Sequence, residues 1–280
     1  MKNPGIKRKH NNVIPGFKLS MGITVTMLSL IVLIPMLSIL LNLSGTTFKE
    51  FWKIITDRQL VVAYRVSLSC AFIAAVVNFF FGVILSWILV RYEFPGKRLL
   101  DGFIELPFAL PTAVAGISLT TLYSDTGWIG GLFARLGVKI SYTTIGITIA
   151  MIFIGTPFVV RSIQPVLEQL DRQYEEAAAI LGASRSYTFF RVIFPEILPA
   201  ALTGFGLAFA RCIGEYGSII FIAGNIPYKT QIVPLLIVSK LEQFNYAAAT
   251  SIALVMIVFS FVTLFTINIV QSKINKIAKG

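Results

Sequence analysis

Long gaps between charged residues constrain this chain more than any other feature. Lys18 to Lys49 encloses 30 uncharged residues, Arg65 to Arg91 encloses 25, and Glu105 to Asp125 encloses 19. Lys139 to Arg161 encloses 21, and Glu242 to Lys273 encloses 30. About 20 apolar residues of helix cross the hydrocarbon core of a bilayer, so each gap is a candidate span. A further apolar stretch, 197–223, is interrupted only by Arg211 and Glu215. The sequence therefore predicts an all-α polytopic membrane protein with six transmembrane helices. Residues 230–239 are too few to cross, contain Pro234, and read as a surface or re-entrant element. Composition agrees: 13% of the residues are charged, against about 25% in an average soluble domain. Two cysteines with no short-spaced pair rule out a small disulfide scaffold. Both lie in spans, where each reads as a small apolar packing residue.

The formal net charge of +11 would suggest nucleic acid in a soluble protein. Here it reports orientation instead. An even number of spans puts both termini on one side. That side gathers Lys2, Lys7, Arg8, Lys9, Lys18, Lys273, Lys276 and Lys279, with the connections 91–98 and 161–191, for 15 basic residues against 8 opposite. The positive-inside rule places the side with the termini in the cytoplasm. The first apolar run competes with a cleaved signal peptide. It is far longer than an apolar signal region of about 7–15 residues, and no A-x-A site follows, so a retained helix is favoured.

The longest cytoplasmic connection, 164–199, holds five acidic residues: Glu168, Asp171, Glu175, Glu176 and Glu196. Asp171 can cap a helix over 172–181, with Glu175 and Glu176 near its positive end. Gly182 can close it in a left-handed conformation. Ser184 can cap a second short helix, 185–192, ended by Pro195. That second helix would present Tyr187, Phe189, Phe190 and Val192 to the aqueous side. Aromatics there suggest either docking of a soluble partner or an amphipathic element resting on lipid or on the bundle.

Glu176, Ala177, Ala178, Gly182 and Pro195 stand at the spacing E-A-A-x₃-G-x₁₂-P. The loop resembles the EAA coupling loop of ABC-importer permeases, and the chain resembles the ABC-importer type I (MetI-like) permease fold. The match extends to 105–116 (ELPFALPTAVAG), 123–131 (YSDTGWIGG), 156–164 (TPFVVRSIQ), 204–225 and 234–246. Among these permeases it is most similar to the T-type subunits of sulfate/thiosulfate importers. Molybdate and tungstate permeases are close relatives. The resemblance implies that Glu175, Glu176, Ala177, Ala178, Gly182, Ala183, Ser184, Arg185, Phe189, Phe190 and Pro195 form the ATPase-coupling surface. It also implies a second, W-type permease subunit, two ATPase subunits that bind ATP and Mg, and an extracytoplasmic sulfate/thiosulfate-binding protein. The bacterial inner membrane is the expected location, with a plastid membrane as the variant. The expected organisation is a basic tail (1–18), a first helix with its external loop (19–61), a permease core (62–272) and a basic tail (273–280).

Arg211 lies at the middle of the fifth apolar stretch, with Glu215 one turn later. Each would cost about 2.5–3.5 kcal/mol facing lipid at mid-depth, so they must face the bundle, a water-filled path or each other. They read as a structural pair or as a gate on the path of a dianion, together with Gly214, Tyr216, Gly217 and Ser218. Pro107, Pro111 and Thr112 make the third span either kinked or broken along the path. Gly155 and Pro157 read as a kink in the fourth span. Gly204/Ala208 and Gly206/Ala210 are spaced for close helix packing.

No chemistry of the chain's own is expected. His10 is the single histidine and lies in the basic tail, and no G-x₄-G-K-[ST] or G-x-S-x-G run occurs. The rival reading is an ion-gradient transporter, which would show internal repeats. A membrane assembly subunit without a path is a third.

Overall fold

The structure, a computed structural model, describes residues 16–277. The tail 1–15, with His10 and four of its lysines and arginines, and the last three residues, with Lys279, lie outside it. Helix α1 (Phe17–Leu43) buries no residue against the rest of the chain. Helix α2 (Phe48–Ile55) starts in a capping box: Thr47 and Glu50 bond each other's backbone amides. One side-chain bond caps the start of α3 (Arg58–Arg91), where Asp57 accepts from Gln59 N at 2.8 Å. There follow α4 (Lys97–Ala109), α5 (Thr112–Tyr123), α6 (Gly130–Arg135), α7 (Thr144–Gln169) and α8 (Gln173–Ile180). The chain ends with α9 (Arg185–Ile213), α10 (Ile219–Ala223), α11 (Val233–Glu242) and α12 (Tyr246–Ile277).

Among the described residues five helices are long and apolar enough to cross a membrane, and α4 with α5, bent by 115°, passes the same test together as a sixth. The bend decides between the two readings of the third span: it is broken. Pro111 has no amide to continue α4, and it holds Leu110 extended at ψ 137°. Pro107, only four residues earlier, sits inside α4 without ending it.

The core is a sandwich of α3, α7 and α9, packed through small residues. A side chain at Gly82 would collide with Val159, and one at Gly204 would come within 2.7 Å of the Val159 backbone. Gly206 instead meets Ile267 of α12, so the two small-residue pairs of α9 serve two different neighbours.

Three expectations need correction. The second helix of the 164–199 connection does not stop at Pro195. It continues to Ile213 through a widened turn over Phe189–Ile193, in which the Phe194 amide reaches the Phe189 carbonyl. That turn falls where Pro195 has no amide to give, so the helix passes through the proline. The fifth span, in turn, stops at Ile213 and does not run on to residue 223. Of the two readings of segment 230–239, surface or re-entrant, only the surface one is overturned. Val233, Pro234, Leu235 and Leu236 of α11 are buried, and Val233 and Leu236 pack with Leu60, Ala63 and Ile252. A buried loop needs its polar groups paired. Gln59, Gln231, Asn225 and Ser239 form one hydrogen-bonded chain across this end of the molecule.

Candidate functional site

Polar groups gather at two places in or beside the apolar bundle. The first is at mid-depth. Asn78, the midpoint of its charge-free gap, is fully buried and accepts from the Thr156 hydroxyl at 2.9 Å. Gly155 makes room for it: a Cβ there would collide with the Asn78 amide and touch Ala208 and Cys212. The Cys212 thiol donates to the Met151 carbonyl at 3.2 Å. Arg211 therefore stands level with the centres of α3 and α7, as its position in the apolar stretch implied.

Here α9 ends. Glu215, 2% exposed, holds the break together. One of its oxygens accepts from the Ser218 amide at 2.9 Å and the Ser218 hydroxyl at 3.1 Å. The other meets Arg211 Nη1 at 2.6 Å. The carboxylate thus satisfies backbone that a helix break would leave bare. Arg211 keeps about a third of its side chain exposed, so the pair is lopsided: the anion is enclosed and the cation faces open space.

The broken third span packs on this break. Gly217 lies against Thr112, and a side chain there would collide with the threonine hydroxyl. Gly116 lies directly on the Ser218 backbone. The structure thus brings together Thr112, Arg211, Glu215, Gly217 and Ser218, with Pro111 at the start of α5. Tyr216 turns into the core beside Ile219 and Ile222, and Gly214 has open space around it. Pro107 stands apart on α4, whose neighbouring Phe108 packs edge-on to Phe158 of α7.

Sequence reasoning missed a second charge cluster. Arg161 of α7 meets Asp101 at 2.8 Å and Glu105 at 2.6 Å, both on α4. It also donates to Gln164. The i,i+4 spacing of Asp101 and Glu105 is the available signal, masked because Glu105 also bounds an uncharged gap.

The second place is the knuckle of the 164–199 connection. Gly182 adopts φ +79° and turns the chain from α8 into α9. Asp171 accepts from Gln173 N at 3.0 Å, and Ser184 accepts from Tyr187 N at 3.3 Å. The Ser184 cap is therefore present, whereas Asp171 stands one residue before the N-cap position, which Arg172 holds without a side-chain bond. Glu175 is no free docking charge. It meets Arg91 Nε at 2.7 Å, while the same guanidinium donates to the Leu167 and Leu170 carbonyls at 3.2 and 3.0 Å. One arginine thereby ties α8 to the ends of α3 and α7. Phe189 is likewise structural, packed edge-on to Trp87 at 5.3 Å. Phe190 is exposed, as are Glu176, Ala177, Arg185 and Pro195, while Ala178 and Ala183 are half-buried. Ile180 and Leu181, each 86% exposed, and Tyr174 were not anticipated. Their signal was an apolar pair placed just before the closing glycine, outside any span.

A broken, small-residue helical bundle with an exposed knuckle on one face is the architecture of a membrane permease subunit. Residues 78–276 match the model of the binding-protein-dependent transport system inner membrane component family, and the chain belongs to that family. It is 46% identical over 268 residues to the sulfate transport system permease protein CysT of Salmonella typhimurium, covering 96% of this chain and 97% of that protein. It is 50% identical over 250 residues to the probable sulfate transport system permease protein cysT of Chlorokybus atmophyticus, covering 89% and 87%. Among solved structures, the bacterial ABC transporter that imports alginate has a chain that superimposes with a TM-score of 0.77 at 16% identity, covering 92% of this chain and 96% of that one. A methionine ABC transporter in an inward-facing conformation gives 0.60 at 14% identity, covering 77% and 96%. These likenesses concern the fold.

Proposed function

We propose that this chain is one transmembrane subunit of an ATP-driven importer that carries sulfate, and thiosulfate with it, across the cytoplasmic membrane. The observation that carries the reading is the knuckle. Small and apolar residues are presented on its outer face, while Arg91 fastens its inner face to α3 and α7. Force applied at such a surface reaches two core helices at once. The relatives named for sulfate transport give the cargo.

In this mechanism two ATPase subunits, holding ATP and Mg, seat the knuckles of this chain and of a W-type partner. ATP closes the ATPase pair, and the knuckles move the bundles from inward- to outward-facing. ATP drives the change because it binds the closed state better than the open one. An extracytoplasmic binding protein then releases its dianion into a path between the two permease subunits. Arg211 supplies positive potential to that path, and Glu215 keeps the break of α9 intact between states. The cytoplasmic placement of both termini follows from the basic balance.

Labelled sulfate uptake by the reconstituted complex tests the reading, with and without ATP and with molybdate as competitor. ATP-dependent uptake of sulfate is expected. Uptake without ATP would overturn the importer mechanism, and preference for molybdate would change the cargo alone.

A further inference from the structure

Behind the knuckle, between α8, the end of α3 and the start of α9, lies a cleft of about 610 Å³. Helix α8 has two faces. Arg172, Glu175 and Ala179 line the cleft. Glu176, Ala177 and Ile180 do not, and they form the outer face. The polar wall of the cleft carries Arg91, Arg172 and Arg185. Its one acid, Glu175, is committed to Arg91. Among the described residues, Arg172 and Arg185 have no carboxylate within ion-pair distance. The cleft therefore holds two arginines outside any ion pair; Glu93, whose carboxyl Lys97 chiefly holds low, also feels Arg172.

Its floor is apolar, made by Ile84, Trp87, Phe190 and Ile193. That floor continues along α3. Phe80, Ile84, Trp87 and Arg91 follow one another at i, i+4, i+7 and i+11, a single helical face, and Phe80 and Ile84 are exposed on the bundle surface. A cationic wall over an apolar floor that runs out onto the lipid-facing surface suits an amphiphile with an anionic head. A soluble phosphate would gain nothing from the floor. Basic pockets between spans on the cytoplasmic side are suited to lipid phosphates.

We propose that this cleft holds one anionic phospholipid. Its phosphate lies between Arg172 and Arg185, and an acyl chain runs along Phe190, Ile84 and Phe80. The outer face of α8 stays free for the ATPase, so the lipid braces the knuckle from behind. The placement rests on the cytoplasmic-knuckle reading but needs no assumption about the cargo.

The test is native mass spectrometry of the purified importer complex, titrated with phosphatidylglycerol. One retained lipid is expected. The double variant Arg172→Gln/Arg185→Gln should bind it about 30-fold more weakly, at roughly a factor of five per arginine. Ile84→Trp, which fills the floor and leaves both arginines, should also lose it. Equal retention by wild type and the double variant would overturn the proposal. So would retention by Ile84→Trp, which would leave only a charge site open to any phosphate. Loss of the ATPase from the double variant with lipid still bound would assign the arginines to the ATPase and overturn it too. The readout is bound lipid, so it stands or falls apart from sulfate transport.

Discussion

Arg211 and Glu215 are spaced as a symmetric ion pair, and their surroundings make them unequal. The glutamate is enclosed and bonded three ways, and the arginine looks outward. Removing the arginine leaves a buried carboxylate without its cation. For a fully buried pair that costs about 3–5 kcal/mol, and the exposure of Arg211 lowers the figure. Arg211→Ala should therefore lower the thermal midpoint of the purified complex and abolish sulfate uptake. Adding Glu215→Gln in the same chain should restore much of the midpoint, because the neutral amide can still accept from Ser218. Uptake should stay lost if Arg211 serves the path. Recovery of uptake in the double variant would reduce the pair to a structural role. The residue identities and their depth were legible in the sequence, since isolated charges in an apolar run must be paired or facing water. The asymmetry was not. It depends on Ser218 bending back and on Thr112 arriving from another helix, which no local spacing encodes.

At the scale of elements, the spans were legible because a bilayer demands uninterrupted apolar length. The breaks were less so. Pro107, Pro111, Pro157, Pro195 and Pro199 look alike in the sequence, yet only Pro111 ends a helix. Whether a proline breaks a membrane helix turns on whether the freed carbonyl finds another partner. At Pro195 a widened turn serves, and at Pro111 the chain turns by 115° instead. The knuckle shows the same division. Its capping residues and glycine were readable from local rules, whereas the Arg91 tie spans 84 positions in sequence. This tie predicts a separation of functions on one short helix. Glu175→Ala should leave the ATPase bound and hydrolysing while sulfate uptake falls severalfold, because the knuckle then moves without dragging α3 and α7. Ile180→Asp, on the outer face of α8, should instead lose the ATPase during co-purification. The paired assay is ATPase retention and ATP-driven uptake on the same preparations. Equal behaviour of the two variants would remove the distinction.

At the scale of the whole molecule, charge and structure meet in the matter of orientation. Part of the basic excess lies on tails outside the described residues, so the fold must be oriented by what remains. Arg91, Arg161 and the knuckle cluster at one end of α3 and α7. The Gln59–Gln231–Asn225–Ser239 chain closes the other end. If the knuckle end is cytoplasmic, the 124–143 connection must lie outside the cell. Trp128 in that connection is 89% exposed and Ile180 on the knuckle is 86% exposed, so both accept a cysteine without repacking. The native Cys70 and Cys212 are buried and need not be removed. In intact cells expressing the chain without its ATPase, a membrane-impermeant maleimide should label Trp128→Cys. It should label Ile180→Cys only after the membrane is opened. Labelling of Ile180→Cys from outside would invert the molecule, and with it the placement of the ATPase surface, the lipid cleft and the direction of transport.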